Sequence, residues 1–495
     1  MSLIKKIVGQ SAVYFIGTVI AVVIGFFFKV YLSRMLGADA LGIYSLGLTA
    51  IGVLGIFLSL GYGNGLIRFI SKYKATDSKN RLISYIGNTL VINLCIVVPL
   101  SVCFYLFPEI IASKLLNTPS LEEYIPLFGL MMIINSFLVL AEQIIRGLQE
   151  VKKSTLINTF LRLPFKIGFV VLFFSWGWGL EAYIIAELLG SLLALVLLVI
   201  LIKRLLPILT TYRLKGISFV DEEKKYSLNL LITNSVIALG RHGDKIVLVY
   251  FLSTFELGIY SVVLTIATFI PLVLTSVNSI FSPIISQLHS QNKLDDLAHY
   301  FQLSGRYVFT LSFPLMVFIF IYSKPIMSVF GSDFIQGSGL LLFIIIGQFI
   351  NVSMGSVGLM LQMCGLEKPL RNISIMTSFI SFALYFILIN EWGLVGLGLV
   401  YALNMLMFNG ACAFVLKKNL NIQLYHAAYA KVIALFCALF IPIYYIADGL
   451  NVTTTPLFLC YAFLVLYVLY MSFWFIFFGK KEFPQILKTD RKSVV

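Results

Sequence analysis

The sequence predicts an all-α polytopic membrane protein of about fourteen transmembrane helices, built as two parallel-repeat six-helix lobes plus two C-terminal helices. Three observations predict it. The 495 residues are 60% hydrophobic and only 12% charged, with a mean hydropathy of +0.97, whereas soluble domains carry about 25% charged residues. The apolar stretches run to about 20 residues, enough to cross a bilayer, while helices of globular proteins average about 11 to 12. Finally, the chain repeats itself: "LGIYS" occupies Leu41 to Ser45 and again Leu257 to Ser261.

The spans fall at 9–33, 40–62, 82–107, 122–148, 155–178, 181–203, 226–252, 256–282, 301–324, 338–362, 370–389, 393–415, 428–447 and 456–478. Their length, without period-2 alternation, predicts helices and not barrel strands of about 10 residues. The first span has the basic flank of a cleaved leader, but its apolar run exceeds the usual 7 to 15 residues or so and no A-x-A site follows, so it reads as retained. "GYGNG" at Gly61 to Gly65 ends the second span. It mimics part of a phosphate-binding loop, yet it follows a membrane helix and lacks G-x-x-x-x-G-K-[ST]. The fourth span carries Glu142, the fifth Arg162 and Lys166, the sixth Glu187, and the seventh Arg241, Asp244 and Lys245. "NVT" at Asn451 is a glycosylation sequon before the last span. The six cysteines lie in or beside apolar spans with no C-x-x-C pair and read as small buried hydrophobes.

A formal charge of +14 could suggest nucleic acid, but the 36 Lys and Arg residues alternate by loop. The even-numbered loops hold clusters such as Arg68, Lys72, Lys74, Lys79 and Arg81, whereas the odd-numbered loops add little beyond Arg34, Lys114 and Lys324. This is the positive-inside pattern, which predicts both termini in the cytoplasm and no nucleic-acid partner.

The repeat extends beyond its pentapeptide. "KVYLSRMLGADALGIYSLGLT" from Lys29 and "KIVLVYFLSTFELGIYSVVLT" from Lys245 share 10 of 21 positions at an offset of 216. A second pair begins at Trp178 and Trp392, offset 214, and a third, "GLQE" and "GLEK", at Gly147 and Gly365. The expected organisation is an N-lobe at 1–210, a cytoplasmic linker at 211–225, a C-lobe at 226–425, and two helices with a basic tail at 426–495. An even number of spans per copy makes the repeats parallel, the arrangement of transporters whose substrate sits near the midplane.

Five cations lie inside spans: Lys29, Arg162, Lys166, Arg241 and Lys245. Exposing all five to lipid would cost on the order of 12 to 18 kcal/mol, so they are expected to face a wet cavity and attract an anion, or to form interhelical ion pairs. Arg162 and Lys166 are four apart on one helical face, as are Arg241 and Lys245, and Lys29 is the repeat equivalent of Lys245. Asp244, Glu142 and Glu187 are the acids available as counter-charges or for ion coupling. Asn229, Asn234 and Gln348 could line the same path, although interhelical hydrogen bonding is the commoner use. No metal, cofactor or catalytic motif appears.

The duplicated halves, the two extra helices, "LSRMLGADALGIYSL" and "GNGLIRFISKY" resemble the polysaccharide transporter, or O-antigen flippase, family of bacteria. Its superfamily also holds the multidrug and toxic compound extruders and the lipid II flippase. The resemblance implies a substrate, an oligosaccharide on undecaprenyl diphosphate, flipped across the cytoplasmic (inner) membrane, with polysaccharide assembly proteins as further partners besides membrane lipid. It also implies a non-enzymatic, cofactor-free mechanism with Arg241, Lys245 and Lys29 on the diphosphate; the membrane potential alone, or added coupling to protons or sodium through Asp244, Glu142 or Glu187, is the expected drive. In the similar lipid II flippase the two additional helices help form a groove for the lipid tail, which gives 428–447 and 456–478 that expected role. The alternatives are a multidrug cation antiporter, disfavoured by the excess of cations, and a membrane glycosyltransferase or polysaccharide polymerase, disfavoured by the short outer loops.

Overall fold

The computed structural model describes residues 3–55, 57–207, 218–231, 235, 248, 250–422, 465, 467, 468 and 470–472. Its regular elements are helices, and no strand occurs among the described residues. The first, α1 (Leu3–Gly55), is two helices joined at Gly37, whose φ of 77° is one that a side chain would strain. After it come α2 (Tyr62–Ala75), α3 (Lys79–Leu106) and α4 (Ile125–Gly147). Next are α5 (Val151–Thr155), a π-helical stretch at Leu156–Arg162, α6 (Leu163–Ser175) and α7 (Leu180–Leu205). A helix α8 covers 221–231. The remainder comprises α9 (Thr254–Ala267), α10 (Phe269–Ser290), α11 (Leu294–Ile321), α12 (Ser323–Ser328), α13 (Ser338–Met354), α14 (Val357–Met363) and α15 (Glu367–Leu420).

Among the described residues eight helices are long and apolar enough to cross a membrane, and a ninth span forms if α9 and the start of α10, bent by 44°, count together. The 54 residues of α15 would measure about 81 Å if straight, far beyond a hydrocarbon core of about 30 Å. Gly393, with φ 53° and ψ −130°, breaks it. That break falls where the predicted eleventh and twelfth spans meet. The predicted span at 428–447 and most of that at 456–478 lie outside the described residues.

The core is apolar, and so is much of the outer surface. Phe27, Tyr105, Phe379 and Phe414 are exposed, while Asn93, Glu187, Gln348 and Asn409 are buried. Apolar side chains facing outward match a lipid solvent, and interior polar groups then tie helices together. Asn93 donates to Ser136 at 3.0 Å between α3 and α4, and Gln348 donates to the Tyr401 hydroxyl at 2.7 Å between α13 and α15.

The chain packs as two units, Met1–Val262 and Val263–Val495. In the second unit the apolar core joins Leu297 and Phe301 of α11 with Met360 of α14 and Leu416 of α15. In the first, α2, α3, α4 and α7 enclose Phe69, Tyr85, Ile145 and Leu198, and Phe219 inserts among them. Residues 218–227 are thereby clamped onto α2 and α3. Phe219 stacks on Tyr62 at 4.0 Å, Asn88 donates to the Ser218 carbonyl at 2.8 Å, and the Arg68 guanidinium lies 4.4 Å from the Tyr226 ring. Glu222 pairs with Lys72 at 2.5 Å and Arg68 at 3.4 Å, and buried Glu223 accepts from the Tyr73 hydroxyl and, at 2.9 Å, from the Val220 amide.

The two copies of the repeated pentapeptide meet within this first unit. A Cβ on Gly42 would strike the backbone of Thr254, and one on Gly258 would strike that of Ala38. Ala38 and Thr254 are repeat equivalents, as are Gly42 and Gly258, so the seam has a two-fold pattern. Thr254 also donates to the Asp39 carboxylate. At the same end, Ser253 and Glu256 form a reciprocal capping box that starts α9, with Ser253 N to Glu256 Oε2 at 2.9 Å and Glu256 N to Ser253 Oγ at 3.3 Å.

Candidate functional site

Pro164 enters α6 in its first turn. With no N–H and a ring that clashes with the carbonyl four residues back, proline opposes regular helix there, and the preceding Leu156–Arg162 is wound as a π-helix. This wider stretch sets the direction of Arg162. Its guanidinium donates to Glu187 Oε1 at 2.8 Å and to Ser191 Oγ at 2.9 Å on α7. Lys166, one turn on, pairs with Glu187 Oε2. Gly190 gives the two helices room, since a Cβ there would lie 3.1 Å from the Lys166 Cβ.

The result is a buried cluster of two cations and one carboxylate, with side chains 24%, 14% and 9% exposed for Arg162, Lys166 and Glu187. Its formal charge is one positive. Aromatic rings close it off: the Lys166 ammonium lies 5.3 Å from the Phe28 ring centre and 5.1 Å from that of Tyr183. Both distances suit a cation on a π face. Tyr183 packs in turn on Tyr44, the tyrosine of the first "LGIYS", at 4.2 Å between ring centres.

The structure thus brings together three of the residues that the sequence singles out, Arg162, Lys166 and Glu187. Glu142 stands elsewhere, half-buried on α4, accepting from Asn158 at 2.7 Å and lying 3.8 Å from Arg146. Lys29 is half-buried on α1. Arg241, Asp244, Lys245 and Asn234 lie outside the described residues, and Asn229 is exposed on α8.

Sequence reasoning missed Tyr44 and Tyr183. Tyr44 was in plain view within the repeat, but an aromatic in a membrane span carries no signal of its partner.

Outside the membrane spans, the clamp carries its own electrostatics. The hydrogen bond from Lys72 holds Glu222 below the usual carboxylate range, and burial, with the bond to Glu223, pushes the Tyr73 hydroxyl up.

A family pattern described as polysaccharide biosynthesis protein matches residues 7–289, and one described as MatE matches 231–387. Among solved structures the chain is similar to the lipid II flippase MurJ in an inward closed conformation, with 15% identity over 93% of this chain and 98% of that one and a TM-score of 0.71. It is also similar to an inward-facing multidrug resistance MATE family transporter of the MOP superfamily, with 13% identity over 82% and 95% of the two chains and a TM-score of 0.66. A MOP superfamily transporter from Pyrococcus furiosus, described as having a binding pocket of reverse polarity, matches at 15% identity over 83% and 93%, with a TM-score of 0.58. These likenesses show the fold of a multi-pass membrane transporter. No curated protein matches the chain.

Proposed function

The chain belongs to the family of polysaccharide biosynthesis proteins, and on that premise we propose that it is a flippase for undecaprenyl-diphosphate-linked oligosaccharide repeat units. It moves them from the inner to the outer leaflet of a bacterial cytoplasmic membrane, with both termini in the cytoplasm. Two parallel six-helix lobes, 1–210 and 226–425, alternate access, and the helices of 426–495 accompany the lipid tail. The observation that carries this reading is the net positive Arg162, Lys166 and Glu187 cluster inside an apolar bundle. A buried cation excess suits a diphosphate. Glu187 is its resident counter-charge until the substrate arrives, and Lys29, Arg241 and Lys245 complete the anion site.

Outward movement of an anion through an inside-negative potential is favourable by about 2.3 kcal/mol per charge per 100 mV, so the potential alone can drive the step. Proton or sodium coupling through Asp244, Glu142 or Glu187 adds to it. The test is translocation of a polyprenyl diphosphate oligosaccharide in vesicles, at matched membrane abundance. Arg162→Gln, Lys166→Gln, Arg241→Gln and Lys245→Gln are each expected to slow it by about tenfold or more, the equivalent of about 1.4 kcal/mol. Unchanged rates in all four reject the anion site.

The MatE match over 231–387 favours a second reading, drug-cation antiport. That reading predicts proton- or sodium-driven efflux of a cationic dye from the same vesicles. Dye efflux without glycolipid movement decides for it.

A further inference from the structure

We propose that Tyr44 and Tyr183 tie the buried ion cluster to the seam between the two "LGIYS" segments, so that drawing Lys166 away from Glu187 loosens the seam. Every residue involved lies in the first packing unit. Glu187 faces Arg162 on the π stretch, Lys166 on α6, Tyr183 on α7 and Tyr44 on α1, and Arg162 also donates to Ser191 on α7. Tyr183 packs against both Lys166 and Tyr44, with its ring centre 5.1 Å from the ammonium and 4.2 Å from the Tyr44 ring centre. Tyr44 stands two residues beyond Gly42, where a single Cβ would separate α1 from the start of α9. Its ring packs on Tyr183 at 4.2 Å and on Phe128 at 6.1 Å between centres, and its stretch of backbone is fixed by the seam.

An anion that binds Lys166 competes with Glu187 for it. As the ammonium moves, the Tyr183 ring loses its cationic partner, Tyr44 loses the nearer of the two rings that hold it, and the backbone contact of Gly42 with Thr254 relaxes. The coupling is carried by ring packing and one ammonium. Arg162 holds the other oxygen of the Glu187 carboxylate, at 2.8 Å.

This rests on the reading of the chain as an alternating-access transporter, but its test reads seam closure and not transport, so either can fail alone. Asp39→Cys and Thr254→Cys are introduced into a chain whose six cysteines are replaced by serine, with a protease site inserted at 208–217. The rate of oxidative cross-linking is then followed in membranes. Glu187→Gln and Lys166→Gln are each expected to lower the rate by about fivefold or more, the lower end of typical coupling between sites. Glu187→Asp, which keeps the charge, should leave it near the parent value. In a Tyr183→Leu background Glu187→Gln should change it less than about twofold. Three results overturn the proposal: an unchanged rate in Glu187→Gln and Lys166→Gln, an equal fall with Glu187→Asp, or an undiminished fall without Tyr183.

Discussion

Glu187 shows how unevenly one buried carboxylate can matter. Removing a single partner from a buried ion pair costs about 3 to 5 kcal/mol, because the remaining charge is stranded, whereas replacing the whole group by apolar residues is often neutral or stabilising. Glu187→Gln should therefore lower the thermal midpoint of the detergent-solubilised protein. The triple replacement of Arg162, Lys166 and Glu187 by leucine should recover most of that loss while leaving transport abolished. A triple variant that still transports assigns the cluster to structure alone. The clamp offers a second residue-scale prediction. Tyr73→Phe deprives buried Glu223 of a donor and should cost about 1 to 3 kcal/mol. A phenol whose folded-state pKa is raised contributes fully below its unfolded value of about 10 and loses that contribution as pH rises beyond it. The gap in thermal midpoint between wild type and Tyr73→Phe should accordingly narrow above about pH 10. Glu222 acts in the opposite sense: its lowered pKa contributes above about pH 4 and fades as pH falls through the folded value. At this scale the four-residue spacing of Arg162 and Lys166 was legible because helix geometry forces them onto one face. The Tyr44 and Tyr183 pair was not, because it joins residues 139 positions apart that no periodicity relates.

Among the elements, the spans were readable because membrane thickness imposes a length, and the breaks at Gly37 and Gly393 fall where the sequence places connections. The segment "SFVDEEKKYS" was not readable as packed structure. Its composition is that of a solvated linker, and only the pocket formed by Tyr62, Phe69 and Tyr85 makes Phe219 a core residue. Pro164→Ala tests the π stretch. Regular α-helix would take up the extra residue and turn Arg162 by about 100° relative to α6, so loss of transport with retained abundance is expected. Normal transport would free Arg162 from its dependence on that winding. Two glycine substitutions make a contrasting pair. Gly42→Leu has no room beside Thr254 and should abolish transport, whereas Gly25→Leu, with nothing within 4 Å of its Cβ, should leave the rate nearly unchanged.

For the molecule as a whole, the fold class was legible from composition and span length, and the internal repeat from a handful of identities. What the repeat did not reveal is where the chain divides in space. By sequence the copies separate near residue 210, yet the first packing unit continues to Val262, taking in the clamp at 218–227 and the seam at 254–258. Duplication marks ancestry, whereas packing follows whichever surfaces fit. The difference has a consequence in time. The first unit remains incomplete when the ribosome finishes the first copy, with the pocket for Phe219 open and Gly42 lacking its partner. About 50 further residues must emerge, which at roughly 5 to 20 residues per second takes about 3 to 10 seconds. During that interval the first half stands without the side chain that fills its aromatic pocket and without the helix that closes on Gly42.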